Sequence, residues 1–92
     1  MTFEEEINNS IKESIRLGYN PIGFKGMITQ HGVVEASKRL INNPKITDGT
    51  IRLWELKRLD LTVETICQKY PHLFTKDEIL RAKSTLSKLN SK

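Results

Sequence analysis

The chain has 92 residues, 37% hydrophobic and 28% charged, a size for one modest core rather than two and a composition that excludes wholesale disorder. No apolar run approaches the roughly 20 residues of a membrane span, and Glu4, Glu5 and Glu6 stand where an export signal would carry bases, so a cytoplasmic protein without membrane association is expected. The lone Cys67 has no internal disulfide partner, and the net charge of +4 permits nucleic acid or an acidic protein as partner without requiring either.

Thr2 followed by Glu5 is a capping-box signature, with the three glutamates placed where a helix dipole favours negative charge. Phe3, Ile7, Ile11 and Ile15 recur every fourth residue, which predicts an inward stripe on a helix ending near Leu17 with Gly18 as its cap. Asn20 and Pro21 suit the cap and first position of a second helix, about Pro21 to Gln30, with Tyr19 stapled on Phe24. Gly23 and Gly26 weaken that helix by on the order of 1 kcal/mol each, so packing of Phe24, Met27 and Ile28 must hold it, and the glycines would let another helix approach.

After His31 and Gly32, the spacing of Val33, Ala36 and Leu40, with Val34, Ser37 and Ile41 beside them, predicts a third helix that Asn42, Asn43 and Pro44 stop. Residues 45–49 have no period and suit a surface loop, with Asp48 or Thr50 capping the next helix. Leu59, Leu61 and Val63 alternate as a short strand would, but the alternation fails after Val63 and a lone strand would leave its backbone unpaired. A mostly buried helix from Thr50 to about Lys57 is expected instead, with the single Trp54 in the core. A tight connection through Leu59 and Asp60 then leads to a helix from Val63 to Tyr70, capped by Thr62 and ended by Pro71. Phe74, Thr75 and Glu78 repeat the capping grammar and launch a last helix that turns Ile79, Ala82, Leu86 and Leu89 inward. The whole describes an all-α, compact single-domain bundle of five to six short helices spanning residues 1–92.

Little here points to chemistry. Cys67 shares a face with Val63, Ile66 and Tyr70, where a small buried hydrophobe belongs, and no neighbouring His or Lys is placed to activate it. Two histidines and one cysteine without ligand spacing predict no metal site. Glu4, Glu5, Glu6, Asp77 and Glu78 serve helix N-termini, while Glu35, Glu55 and Glu64 lie among bases as solvent-exposed ion pairs would. No strand precedes the glycines at 23, 26 and 32, so they form no phosphate loop. A non-enzymatic protein with no cofactor is expected.

The candidate contacts to a partner or to nucleic acid are the bases. Arg81, Lys88 and Lys92 fall on one stripe of the last helix, and Arg52, Lys57 and Arg58 form a second group. Residues 24–41 invite comparison with a helix-turn-helix that would present Lys38 and Arg39 to a major groove, although the turn is short and its reading face offers few base-contacting side chains. Arg58 and Asp60 could pair across the tight turn, or one of them could be what a partner touches.

Several strings occur together: Gly18-Tyr19-Asn20-Pro21 with Phe24, Gly32 with Val34-Glu35-Ala36, Asp48-Gly49 with Leu53-Trp54-Glu55-Leu56, Arg58-Leu59-Asp60-Leu61-Thr62-Val63-Glu64, and Leu73-Phe74-Thr75 with Glu78, Ile79 and Ala82. The combination resembles a small helical module found in bacterial proteins, alone or appended to larger ones, some of which look like restriction or other DNA-processing proteins. The resemblance covers about residues 18–90, leaves the first helix outside and transfers no catalytic or binding residue. It implies a setting in bacterial or phage DNA-processing or defence machinery. The resulting expectation is a non-catalytic adaptor that docks on a protein partner, with a nucleic-acid binder using the basic faces as the alternative.

Overall fold

A computed structural model of the chain describes residues 1–91. Six helices succeed one another: α1 (Phe3–Arg16), α2 (Ile22–His31), α3 (Val33–Ile41), α4 (Asp48–Glu55), α5 (Val63–Ile66) and α6 (Lys76–Asn90), with 3₁₀ turns at Leu59–Leu61, Cys67–Lys69 and Pro71–Leu73. Among the described residues there is no strand, and no helix is long and apolar enough to cross a membrane.

The capped helix starts form as the residues require. The Thr2 N–H donates to Glu5 Oε1 at 2.8 Å while the Glu5 N–H donates to Thr2 Oγ1 at 3.2 Å, and Thr75 and Glu78 repeat the exchange at 2.9 and 3.1 Å. Thr62 accepts from the Thr65 N–H and opens α5. Gly18, at φ +93°, lets α1 close with the Tyr19 N–H on the Ser14 carbonyl and the Gly18 N–H on that of Ile15, both at 2.9 Å.

Other expectations need correction. The α1 stripe rotates off the core: Phe3 and Ile7 are buried, but Ser10 and Ser14 take the next inward positions and Ile15 is 45% exposed. A strict four-residue repeat gains about 40° per step on a 3.6-residue helix, so Ile15 has turned about 120° from Phe3, whereas spacings of four, three and four keep one face. The buried serines stay satisfied because Ser10 donates to the Leu61 carbonyl and Ser14 to that of Ser10.

Pro21, not Asn20, stands at the start of α2, where no side chain caps the helix; the Asn20 amide oxygen accepts from Lys25 Nζ instead. Gly23 and Gly26 face open space, so no helix uses them for close approach. The glycine that permits a close contact is Gly49, since the Tyr19 hydroxyl occupies the place a Cβ there would take. α4 begins at Asp48, two residues early, because Thr47 caps it. It ends by the same backbone closure as α1 but with Lys57 at φ +61° where glycine would be unstrained: the Arg58 N–H reaches the Leu53 carbonyl at 2.8 Å. Trp54 is only half-buried. The helix expected from Val63 to Tyr70 is α-helical for one turn and then tightens into the 3₁₀ turn Cys67–Lys69.

The core joins Phe3 and Ile7 of α1, Ile41 of α3, Val63 and Ile66 of α5, Cys67, Phe74 and Ala82 of α6. Phe3 sets its ring edge-to-face against Phe74 and Tyr70 at centroid distances of 5.3 and 5.4 Å, so the first helix packs into the same core as α5 and α6.

Candidate functional site

α2 buries no residue, resting on half-buried Phe24, Met27 and Ile28. Between it, α1, α3 and α4 lies a cleft of about 490 Å³, within the range of ligand and anchor pockets. Its apolar walls come from Ile11, Phe24, Met27, Leu40, Leu53 and Leu61, and at its edge Ile22 is 70% exposed. The segment 18–47, which supplies α2 and α3, carries Lys25, Lys38, Arg39 and Lys45 against the acid Glu35, and the charged residues that line the cleft itself are Arg39 and Asp48. Tyr19 crosses toward α4 and lines the same cleft as Asp48 and Gly49; burial, then the Asp48 charge, raises its hydroxyl pKa.

Most of the bases singled out from sequence are engaged within the chain. Lys38 pairs with Glu78 at 2.9 Å and lies over the Phe74 ring, its Nζ 5.5 Å from the centroid. Burial alone would raise the Glu78 carboxyl, but the Thr75 N–H, Lys38 and Asn42 override it and bring it down to about 2. Arg81 reaches the carbonyls of Ile41, Asn42 and Asn43 at 3.3–3.5 Å, closing the C-terminal end of α3. Arg58 forks onto both oxygens of Asp60, at 3.0 and 3.2 Å, and also reaches Glu13 at 3.0 Å, which ties the tight turn to α1. With Arg16 as its stronger partner and Arg58 as its second, the Glu13 carboxyl is held down to about 2. Arg39 pairs with Glu35 and Arg52 with Glu55 in exposed positions worth little. Lys57 and Lys88 are exposed and form no ion pair among the described residues, and Lys92 lies outside them.

Glu64 contradicts the expectation of an exposed ion pair. It is 3% exposed, and both its oxygens lie 3.2 Å from the one hydroxyl of Thr50, itself 3.0 Å from the Thr47 hydroxyl. Among the described residues no cation pairs with it, and burial raises its carboxyl pKa against the smaller opposing pull of its own backbone N–H and Thr50. Sequence signalled this only indirectly, as Glu64 sits between buried Val63 and Ile66. Cys67 is fully buried, its thiol pushed up to about 12 by burial and by the charges of Glu64 and Glu78. Among the described residues no cluster of His, Cys, Asp and Glu is placed to hold a metal ion.

A helix-turn-helix does not fit this geometry: Gly32 alone separates α2 from α3, where that motif uses a turn of three to four residues, and Lys38 is turned onto Glu78. No protein-family model, curated protein or solved structure matches the chain.

Proposed function

We propose that the chain is a non-catalytic helical adaptor whose cleft receives the apolar anchor of an acidic, amphipathic partner helix. The carrying observation is the cleft itself, a concave apolar surface continuous with the exposed Ile22 and walled in part by the basic 18–47 segment. A shallow apolar groove takes helix side chains at one- and two-turn spacings, and acids flanking such an anchor would meet Lys25 and Arg39. The resemblance to a module of bacterial proteins supports a cytoplasmic setting in bacterial or phage DNA-processing or defence machinery.

The test begins with capture of partners from a bacterial host by the wild type and by Ile22→Glu, which alters an exposed side chain and leaves the core intact. A partner retained by the wild type, lost by Ile22→Glu and then bound as a purified protein in a salt-sensitive 1:1 complex is the expected result. Equal retention by both forms removes the cleft from the interface.

The alternative, a nucleic-acid binder, draws on the exposed Lys76, Lys83 and Lys88 along α6 together with Lys57. Titration with duplex and single-stranded DNA at two salt concentrations separates the readings, since phosphate contacts give an affinity that falls steeply with salt. Absence of binding at low salt would remove this alternative.

A further inference from the structure

The inner side of α4 is a wall of the cleft, contributed by Asp48, Gly49, Thr50 and Leu53. Among the described residues the Thr50 hydroxyl makes the only side-chain hydrogen bond from α4 to another helix, and its partner is the buried carboxyl of Glu64. We infer that this contact makes α4 a proton-linked wall: neutral Glu64 holds α4 closed, and ionised Glu64 favours its release and a wider cleft.

The argument is one of unmet demand. A carboxylate can accept about four hydrogen bonds, but the only side chain that reaches Glu64 among the described residues is Thr50, with one proton to share between two oxygens at 3.2 Å; its own backbone N–H adds a second donor, and the Thr47 hydroxyl is hydrogen-bonded to Thr50 rather than to the carboxylate. A buried charge so poorly served is costly, whereas a neutral carboxyl in the same place can exchange a single hydrogen bond with Thr50 at little cost. Lifting α4 exposes Glu64 to water and removes the penalty. Charged groups on the neighbouring elements do not supply the missing counter-charge. Lys38 of α3 is held by Glu78 of α6, Arg58 by Asp60 and Glu13, and Lys69 by Glu6 of α1; on α4 itself Arg52 faces Glu55. Asp48 in the first turn of α4 adds charge of the same sign, and the nearby Cys67 thiol, up at about 12, stays neutral through the physiological range.

This concerns regulation of the cleft and rests on the docking reading only for what the cleft is used for. The lone Trp54 on α4 and the amides of that helix report the wall directly, without any partner. Hydrogen exchange, corrected for the intrinsic pH dependence, should show α4 opening about tenfold or more often at pH 8 than at pH 5, relative to α6, with a parallel rise in quenching of Trp54 by acrylamide. Glu64→Gln should abolish the pH dependence and leave α4 protected. Thr50→Val, which removes the donor and keeps the carboxyl, should make α4 more open than wild type at pH 8. Equal exchange of wild-type α4 at both pH values overturns the inference, as does a rise that persists unchanged in Glu64→Gln and so belongs to another group. Should Glu64→Gln not fold, a Thr50→Val protein no more open than wild type at pH 8 overturns it equally. A pH-dependent wall in a protein that binds no helix would sink the docking reading alone; pH-independent α4 with tight peptide binding would sink this one alone.

Discussion

The half of the molecule built on α1, α5 and α6 and the half built on α2 and α4 are fastened differently. In the first, Phe3, Phe74, Ile66 and Leu89 are all at most 7% exposed, both long helices start with complete capping boxes, and Lys38, Glu78 and Asn42 fasten α3 to α6. In the second, α2 has no side-chain cap and no buried residue, and α4, which buries Thr50 and Leu53, is hydrogen-bonded to another helix through one hydroxyl among the described residues. Apolar exposure does not itself divide the halves, since Ile15 of α1 and Leu80 of α6 are exposed as Ile22 of α2 is; what sets the second half apart is that its more weakly fastened helices wall the cleft.

The largest expected effect sets one phenylalanine against another. Phe74→Ala should cost about 3–5 kcal/mol in denaturant unfolding, since Phe74 is buried between Phe3 and Lys38, while Phe24→Ala, half-buried beside the cleft, should cost about 1–2 kcal/mol. Equal costs would mean that α2 is as integral to the fold as α6, and the contrast between the halves would vanish.

Next comes the clamp between α3 and α6. Glu78→Gln keeps the shape of the cap but removes the charge that Lys38 and the Thr75 N–H bind, and should destabilise by about 1–2 kcal/mol at pH 7. Because the folded-state pKa lies below the ordinary value of 4.5, this stability is present above pH 4.5 and is lost as pH falls toward about 2. The two proteins should therefore converge in acid. A gap that stays constant down to pH 2 would show that the carboxylate's charge is not what the clamp uses.

How much the residues disclose in advance depends on the range of each interaction. Caps at Thr2, Thr62 and Thr75 and the closure at Gly18 involve partners within five positions, so they could be read from spacing, and the all-α architecture emerged from them. Ser10 is satisfied by a carbonyl 51 positions away, Arg81 by carbonyls about 40 positions away, and Glu64 by a hydroxyl 14 positions away. No local pattern encodes those meetings, and for that reason Arg81 resembled a free base and Glu64 an exposed acid. The cleft lay beyond reach for the same reason: its walls come from five helices and the turns between them, and its edge residue Ile22 looks in sequence like any core isoleucine.

Lys57 carries the comparison into α4. A lysine in the left-handed region is strained by roughly 1–2 kcal/mol, and its exposed side chain contributes no ion pair among the described residues to offset that. Lys57→Gly should stabilise the protein by about 1 kcal/mol, part of the relief being lost to the greater freedom of glycine in the unfolded chain. If thermal unfolding shows a loss instead, the lysine stem must be packing against the chain, and the end of α4 is better fastened than its single hydroxyl tether implies.

The smallest effect is the most local, and its sign depends on a partner. Gly49 lies in the first turn of α4, where alanine would favour the helix by up to about 1 kcal/mol, yet a Cβ there would meet the Tyr19 hydroxyl, with the ring carbon behind it at 3.5 Å, an ordinary contact. The obstacle is therefore the hydroxyl alone. Gly49→Ala should be neutral or slightly destabilising in the wild type, because Tyr19 must shift toward the cleft, and stabilising by several tenths of a kcal/mol when Tyr19→Phe has removed the clash. A double-mutant cycle by denaturant unfolding reads the coupling, and a value near zero would mean that Tyr19 moves away at no cost. Tyr19 would then be a loose side chain at the mouth of the cleft, and α4 would depend on the Thr50–Glu64 contact still more heavily.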